Sequence, residues 1–516
     1  MSAKNEQWGS RVGLVLAMAG NAVGLGNFLR FPVKAIENGG GTFIIPYLVC
    51  FLLMGLPLLF VEWSMGRFGG RHGHHSTPFI LDTMDKRKFW KYLGVFGLFT
   101  NIAVAAYYCY IESWALSYAF KSIMGVFHGM DQAAVSAHFD NYVGLGTSLP
   151  IVFWILCLAL NTWVLSRGLS GGVEIVAKFA MPLLILFGIL LAIQGLTLTA
   201  GEKGAINDGT LGLNWLWEPD FASIWSGKVW LAAAGQIFFT LSVGMGTIQC
   251  YASYMKPKDD IALNAMSAGW MNEFVEVVLG AAIVIPICVG YFGIDGVKEI
   301  VSSGGGFGLA FKTLPYLFNN WGDVLSIVAG FSWFALLFFA GITSSLAMGT
   351  PFMGFLQDEF KFGRLKSALT FGLFVLLLGI PAVMFFNQGV FSEYDYWAGE
   401  VALVVFAVVE MILFSWVFGM DKGWKEITTG ADIKVPNFFK FVIKWITPLI
   451  LLAVLFTSLP SIWNTLTFNA TTGYLSVPEN KPFVIAGRLI LLAVYLGLSF
   501  LVWVAYEKRK KSGRIT

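Results

Sequence analysis

The sequence predicts an all-α integral membrane protein of twelve transmembrane helices, built as a 5+5 inverted repeat with broken helices 1 and 6. Three observations carry this. The 516-residue chain is 57% hydrophobic and only 13% charged, with a mean hydropathy of +0.70, more apolar surface than a water-soluble fold of that length uses. Apolar runs able to cross about 30 Å of hydrocarbon recur along its whole length. Two of these runs are interrupted at their centres, in corresponding positions of two five-span halves.

The first span, 11–36, carries the centre Gly20-Asn21-Ala22-Val23-Gly24-Leu25-Gly26-Asn27. Glycine and asparagine are poor material for an unbroken helix. Irregular backbone at that depth must be buried in protein or line a cavity. Its freed carbonyls and half-helix ends can hold an ion and a small charged solute. Spans two to five, at 41–66, 89–124, 150–166 and 174–198, complete the first repeat, 11–198. In span five, Gly172 and Pro182 permit local unwinding at the cytoplasmic end. Span six, 228–255, repeats the interruption at Ser242-Val243-Gly244-Met245-Gly246. Spans seven to ten, at 261–292, 322–356, 367–386 and 395–419, complete the second repeat, 228–419. Five is odd, so the repeats run oppositely through the membrane. Two additional helices, 440–460 and 483–506, lie outside them in 440–506. Residues 1–516 read as one domain.

Basic residues set the orientation. Arg67, Arg71, Lys86, Arg87, Lys88 and Lys91 cluster between spans two and three, and Lys508, Arg509, Lys510, Lys511 and Arg514 at the C-terminus. Cytoplasmic loops carry such clusters, so both termini are expected in the cytoplasm of a multi-pass protein in a plasma (inner) membrane. The short termini fit a prokaryote. The net charge of +3 is topogenic and builds no nucleic-acid face. The first apolar run lacks a cleavage site and reads as a retained span. Cys50, Cys109, Cys157, Cys250 and Cys288 fall inside spans and read as small buried apolar residues, with no disulfide framework. The spans carry no Ser/His/Asp, HExxH or paired-carboxylate pattern of an enzyme, and no ringed selectivity loop of a channel. His72, His74 and His75 cluster in a cytoplasmic loop without a nearby Cys or acidic partner in sequence, so they are not read as a metal site.

The segments GNAVGLGNFLRFP, ENGGGTFIIPY (37–47), EWSMGR (62–67), GQIFFTLS (235–242) and FAGITSS (339–345) closely resemble the neurotransmitter:sodium symporter family, most of all its bacterial leucine-transporter type, across essentially the whole chain. The resemblance implies the leucine-transporter-like fold and sodium-coupled symport of a hydrophobic, aliphatic to aromatic L-amino acid by alternating access. It implies two Na+ sites. The first uses the Ala22 carbonyl, Asn27, Thr240 and Asn272 with the substrate carboxylate. The second uses the carbonyls of Gly20, Val23 and Ala340 and the hydroxyls of Thr343 and Ser344. Neutral hard oxygens suit sodium, and Ala340, Thr343 and Ser344 share one helix face. Without the resemblance, both hydroxyls would be read as bonding back to their own helix.

The same resemblance implies that Tyr108 and the amides of Leu25 and Gly26 meet the substrate carboxylate, while the amine meets carbonyls of the unwound segments and Ser242, with Ala22 and Thr240 also at the substrate. Val104, Phe239, Met245, Ser344 and Met348 would wall the side-chain pocket. Position 24 is Gly where amine carriers of the family have Asp, which implies a zwitterionic substrate. Arg30 and Asp395 would form the outer charged gate, flanking a lid of Tyr108 and Phe307. Tyr254 and Asp358 would form the inner gate, with Asn5 and adjacent Lys4 where the family has Arg. Glu276, four residues after Asn272, would supply the negative charge that chloride supplies elsewhere, making transport chloride-independent and a proton countermovement conceivable. Glu62, Glu112 and Glu410 read as hydrogen-bonding partners of unwound backbone. The alternative function is a sodium-dependent amino-acid sensor with little transport. No oligomeric state is legible.

Overall fold

The computed structural model describes residues 6–219, 221, 225–469 and 473–512. Lys4, Asn5 and Arg514, on which expectations above fall, lie outside the described residues. Among the described residues every regular element is helical, as a bilayer requires of any fold that is not a closed barrel. Ten helices are long and apolar enough to cross a membrane, eleven when Arg11–Ala22 and Leu25–Glu37, bent by 48°, count as one span. The expected sixth span is a pair, Gly227–Leu241 and Thr247–Ala252, parted by five residues that include Ser242 and Gly246. The twelve-span reading takes this pair as one span.

The two breaks are stabilised by side chains. Val23 ends the first half of span one with ψ 90°, and Gly24 begins the second. The Gly24 N–H donates to Asn27 Oδ1 at 2.8 Å and the Leu25 N–H to the Tyr108 hydroxyl at 3.0 Å. In span six, Gly244 and Gly246 take φ of 75° and 82°, which glycine adopts at little cost. The Gly244 N–H donates to Glu62 Oε1 at 2.6 Å, and Asn101 Nδ2 donates to the Met245 carbonyl at 2.5 Å. Spans two and three thus supply the partners that a broken helix loses, which keeps these polar groups tolerable away from water.

Span three sits at the centre. Of its apolar stretch, 94% is buried, against 28% for Pro478–Lys511 at the periphery. It packs most extensively on Asp323–Phe360, the eighth span. The helix beginning at Ile261 departs from helical geometry first at Gly293 (φ 68°), next to the expected end of span seven. In span five, Gly172 lies in a π-helical turn, Leu169–Val173, and the helix continues through Pro182. All five cysteines are buried and unpaired.

Candidate functional site

One cavity lies between the two breaks. Ala22, Gly26, Val104, Tyr108, Phe239, Thr240, Ser242, Met245, Ser344 and Met348 all line it. Leu25 does not; it contributes its N–H to the Tyr108 hydroxyl. The cavity lining mixes polar groups, Tyr108, Asn27, Thr240, Ser242 and Ser344, with the apolar side chains of Val104, Phe239, Met245 and Met348. Sequence reasoning missed Tyr107, Gly399 and Leu403, which complete the wall. The available signal was the fourfold spacing Asp395, Gly399, Leu403 along span ten, which turns one face inward.

Asn27, Thr240 and Asn272 converge beside the cavity. Asn27 Nδ2 donates to Asn272 Oδ1 at 2.9 Å and to Thr240 Oγ1 at 3.2 Å, and Asn272 Nδ2 donates to Thr240 Oγ1 at 3.0 Å. Glu276 joins them. It accepts from Asn27 Nδ2 at 3.0 Å, from Gln236 Nε2 at 2.7 Å and from the Thr240 hydroxyl. All are buried. On the other side of span one, Gly20 approaches span eight so closely that a Cβ there would lie 2.9 Å from Thr343 Cβ. Ser344 Oγ donates to the carbonyls of Gly20 and Asn21, both at 3.3 Å, and of Ala340 at 3.2 Å. Thr343 Oγ1 bonds back to Phe339 and Ala340 at 3.0 and 3.2 Å. The helix back-bonding that these residue types allow is therefore present, on the face that meets span one. No bond involving the Val23 carbonyl links it to this group.

The remaining membrane carboxylates divide. Glu62 holds the unwound Gly244, whereas Glu410 differs from expectation: it accepts from the Gln249 side chain, inside the helix Thr247–Ala252, at 2.5 Å and not from unwound backbone. Glu112 differs from expectation: it accepts from Asn161 at 3.0 Å, and Asn161 accepts from Ser345 at 2.7 Å. It ties spans three, four and eight together, with no unwound backbone involved.

The outer gate also differs. Arg30 pairs with Glu400 at 3.1 Å instead of with Asp395, and its guanidinium lies 4.4 Å from the centre of the Phe239 ring. Asp395 accepts from the Tyr107 hydroxyl at 2.6 Å. Phe307 lines an outer vestibule of ≈ 280 Å³ and packs on Trp114 and Phe391, farther out than the cavity. The aromatic rings lining both cavity and vestibule are Tyr107, Tyr108 and Phe239.

At the end of the molecule near Trp8 and Arg509, Tyr254 and Asp358 are bridged by His75, which corrects the reading of the histidine cluster as lacking an acidic partner. Among the described residues no group of three or more His, Cys, Asp or Glu side chains could hold a metal ion. Trp8 donates to the Tyr251 carbonyl at 3.0 Å, and Glu174 accepts from the Gly9 N–H and the Ser10 hydroxyl, both at 2.7 Å. These contacts pin the inner end of span one.

The model of the Sodium:neurotransmitter symporter family matches residues 5–130 and 127–503. The chain belongs to this family. The symporter is 31% identical over 521 residues to an uncharacterized sodium-dependent transporter of Methanocaldococcus jannaschii, with 98% of each chain covered. It is 24% identical to the sodium-dependent nutrient amino acid transporter 1 of Drosophila melanogaster, over 89% of this chain and 78% of the relative. The crystal structure of MhsT in complex with L-phenylalanine is similar at a TM-score of 0.76 and 28% identity, covering 88% of the symporter and all of MhsT. The symporter is thus a multi-pass, sodium-dependent transporter and not an enzyme.

The Arg30–Glu400 pair is half open to solvent, with side chains 24% and 42% exposed, so its contribution is modest. In a double-mutant cycle, Arg30→Ala and Glu400→Gln are expected to couple by about 0.5–1 kcal/mol in sodium-dependent ligand affinity. Arg30→Ala and Asp395→Asn are expected to be nearly additive.

Proposed function

We propose that the symporter couples sodium entry to uptake of a hydrophobic, aliphatic to aromatic L-amino acid, without chloride. The observation that carries this is the cavity's mixed lining: the Tyr108 hydroxyl, Gly24, Gly26, Thr240, Ser242 and Ser344 beside the apolar Val104, Phe239, Met245 and Met348. The Tyr108 hydroxyl, and backbone at the start of a half-helix, offer donors that suit an α-carboxylate. The apolar residues suit an aliphatic or aromatic side chain, and methionine adapts to either. Gly24 leaves no counter-ion for a substrate lacking a carboxylate. The similarity to MhsT, whose structure holds L-phenylalanine, supports the same reading.

Two sodium ions enter with the substrate. One is held by the Ala22 carbonyl, Asn27, Thr240, Asn272 and the substrate carboxylate. The other sits between the Gly20, Val23 and Ala340 carbonyls and the Thr343 and Ser344 hydroxyls, which rotate from their helix bonds to the ion. The shared carboxylate makes the coupling reciprocal: sodium tightens substrate and substrate tightens sodium. Spans one, two, six and seven then rock against the rest, the two repeats 11–198 and 228–419 supplying both halves of the path. Arg30, Glu400 and Phe239 close the outside; Tyr254 and Asp358 close the inside.

Uptake of labelled amino acids into proteoliposomes tests this. Leu, Met or Phe should accumulate with an inward sodium gradient and not with potassium, and replacing chloride by gluconate should leave the rate unchanged. Sodium-dependent binding without accumulation would favour the sensor. Accumulation of amines in preference to amino acids would overturn the substrate class.

A further inference from the structure

The loop after span two ends in His72, Gly73, His74 and His75, and His75 lies where three elements meet. Its ring Nδ1 is 3.1 and 3.2 Å from the two carboxylate oxygens of Asp358, at the inner end of span eight. Its backbone N–H donates to the same carboxylate at 2.9 Å. Its ring stacks on Tyr254, at the inner end of span six, with centroids 4.3 Å apart and planes 21° from parallel. A Cβ at Gly354 of span eight would lie 2.9 Å from the His75 carbonyl, so the loop lies directly on that helix. Both side chains of the pair are buried, at 8% and 6% exposure.

We propose that His75 is the tie of the cytoplasmic gate: it clamps the loop of span two and the end of span six to Asp358 of span eight, and so sets how firmly the gate closes. The gating role rests on the alternating-access reading above; the contact itself does not. In that reading spans two and six belong to the moving bundle and span eight to the part it moves against, so this contact must part when the inside opens. The sequence offers Asn at position 5, where the family resemblance leads one to expect Arg. Imidazole cannot make the bidentate fork of a guanidinium, but its ring N–H can reach the Asp358 carboxylate. A hydrogen bond to an ionised carboxylate is charge-assisted and about twice as strong as a neutral one.

Among the described residues, the other charged groups near this contact are engaged elsewhere. Arg509 of the C-terminal helix is paired with Glu359, and it donates to His74 Nε2 at 3.1 Å. Burial, and then the Arg509 charge, push His74 down to about 3, so it stays neutral near pH 7. Lys361 Nζ is bound to the Asp358 backbone carbonyl at 2.5 Å, away from the carboxylate. His72 is exposed, with its ring on the Phe68 carbonyl at 2.8 Å.

Spin labels at Gln7 and Lys86 in the full chain, reconstituted in liposomes, report the inner opening as a distance distribution. His75→Ala should raise the open-to-closed ratio roughly tenfold over the otherwise unaltered chain. His75→Arg should stay closed. Asp358→Asn should match His75→Ala, and the double variant should go no further. His72→Gln should behave as the unaltered chain does. An unchanged ratio in His75→Ala, or a rise as large in His72→Gln, would overturn the proposal. So would additive effects of His75→Ala and Asp358→Asn. Sodium-dependent amino-acid binding on the same samples separates the two claims: its absence in the unaltered chain would count against the symport reading, while the distances still decide the His75 contact.

Discussion

Gly24→Asp is expected to abolish sodium-dependent amino-acid binding. A Cβ at position 24 would lie 2.9 Å from both Ser344 Oγ and the Tyr108 hydroxyl. The backbone there, at φ −117° and ψ −168°, is open to any residue, so the demand for glycine is one of space. Even Gly24→Ala must displace two hydroxyls that the proposed substrate and second sodium sites use, at a cost of about 1–2 kcal/mol. Asp adds a carboxylate beside the place proposed for the substrate's own. Two like charges in a buried site, with no added cation, cost roughly 3 kcal/mol or more, which is over about 100-fold in affinity. Equilibrium binding of labelled leucine and phenylalanine at saturating sodium measures this. Gly24→Ala should weaken binding about tenfold and Gly24→Asp at least about 100-fold. A carboxylate-free aromatic amine should lose far less on Gly24→Asp, because the new carboxylate can serve as its counter-ion. Equal losses for amine and amino acid would mean that position 24 acts through shape alone.

The broken spans were legible because glycine and asparagine at mid-membrane depth contradict an unbroken helix, and the contradiction appears twice. Gly20, Gly24 and Asn27 could be read from span one alone. What the sequence concealed were partners brought together by folding. Arg30 was expected on Asp395, yet the start of span ten, Asp395–Val401, is π-helical. Such a turn adds a residue to the helical repeat and changes which of two nearby acids faces span one. Asp395 turns to Tyr107 and Glu400 meets Arg30. No periodicity argument reveals a π-turn in advance. His75 was passed over for a similar reason. Its acidic partner is 283 positions away, and a histidine cluster with no acid nearby in sequence gives no sign of one. Glu112 was assigned to unwound backbone because a membrane carboxylate needs a partner; its partner is Asn161, one more polar residue in an apolar span. In each case the chemistry of the residue was readable and the identity of its partner was not.

Glu276→Ser should make transport depend on chloride. The Glu276 carboxylate accepts from Asn27, Gln236 and Thr240, and Asn27 in turn holds the Gly24 N–H that opens the second half of span one. A negative charge is thereby built into the group proposed to hold the first sodium. For charges on the order of 5 Å apart at an effective dielectric constant of about 20, the attraction is ~3 kcal/mol. Removing it should cut uptake in gluconate by roughly 100-fold. Serine is small, and the donors of Gln236, Asn27 and Thr240 would then face a space lined for an anion. Chloride should restore uptake of Glu276→Ser to within about tenfold of the unaltered protein. Glu276→Gln removes the charge but keeps the volume, so it should remain inactive with or without chloride. Sodium-driven leucine uptake by the three proteins, each in chloride and in gluconate, gives the comparison. Rescue of Ser and not of Gln would assign both the charge and the space to this position. A chloride requirement in the unaltered symporter would mean that the Glu276 charge does not replace the anion, and would leave its bonds to Asn27 and Thr240 as a scaffold for the break in span one.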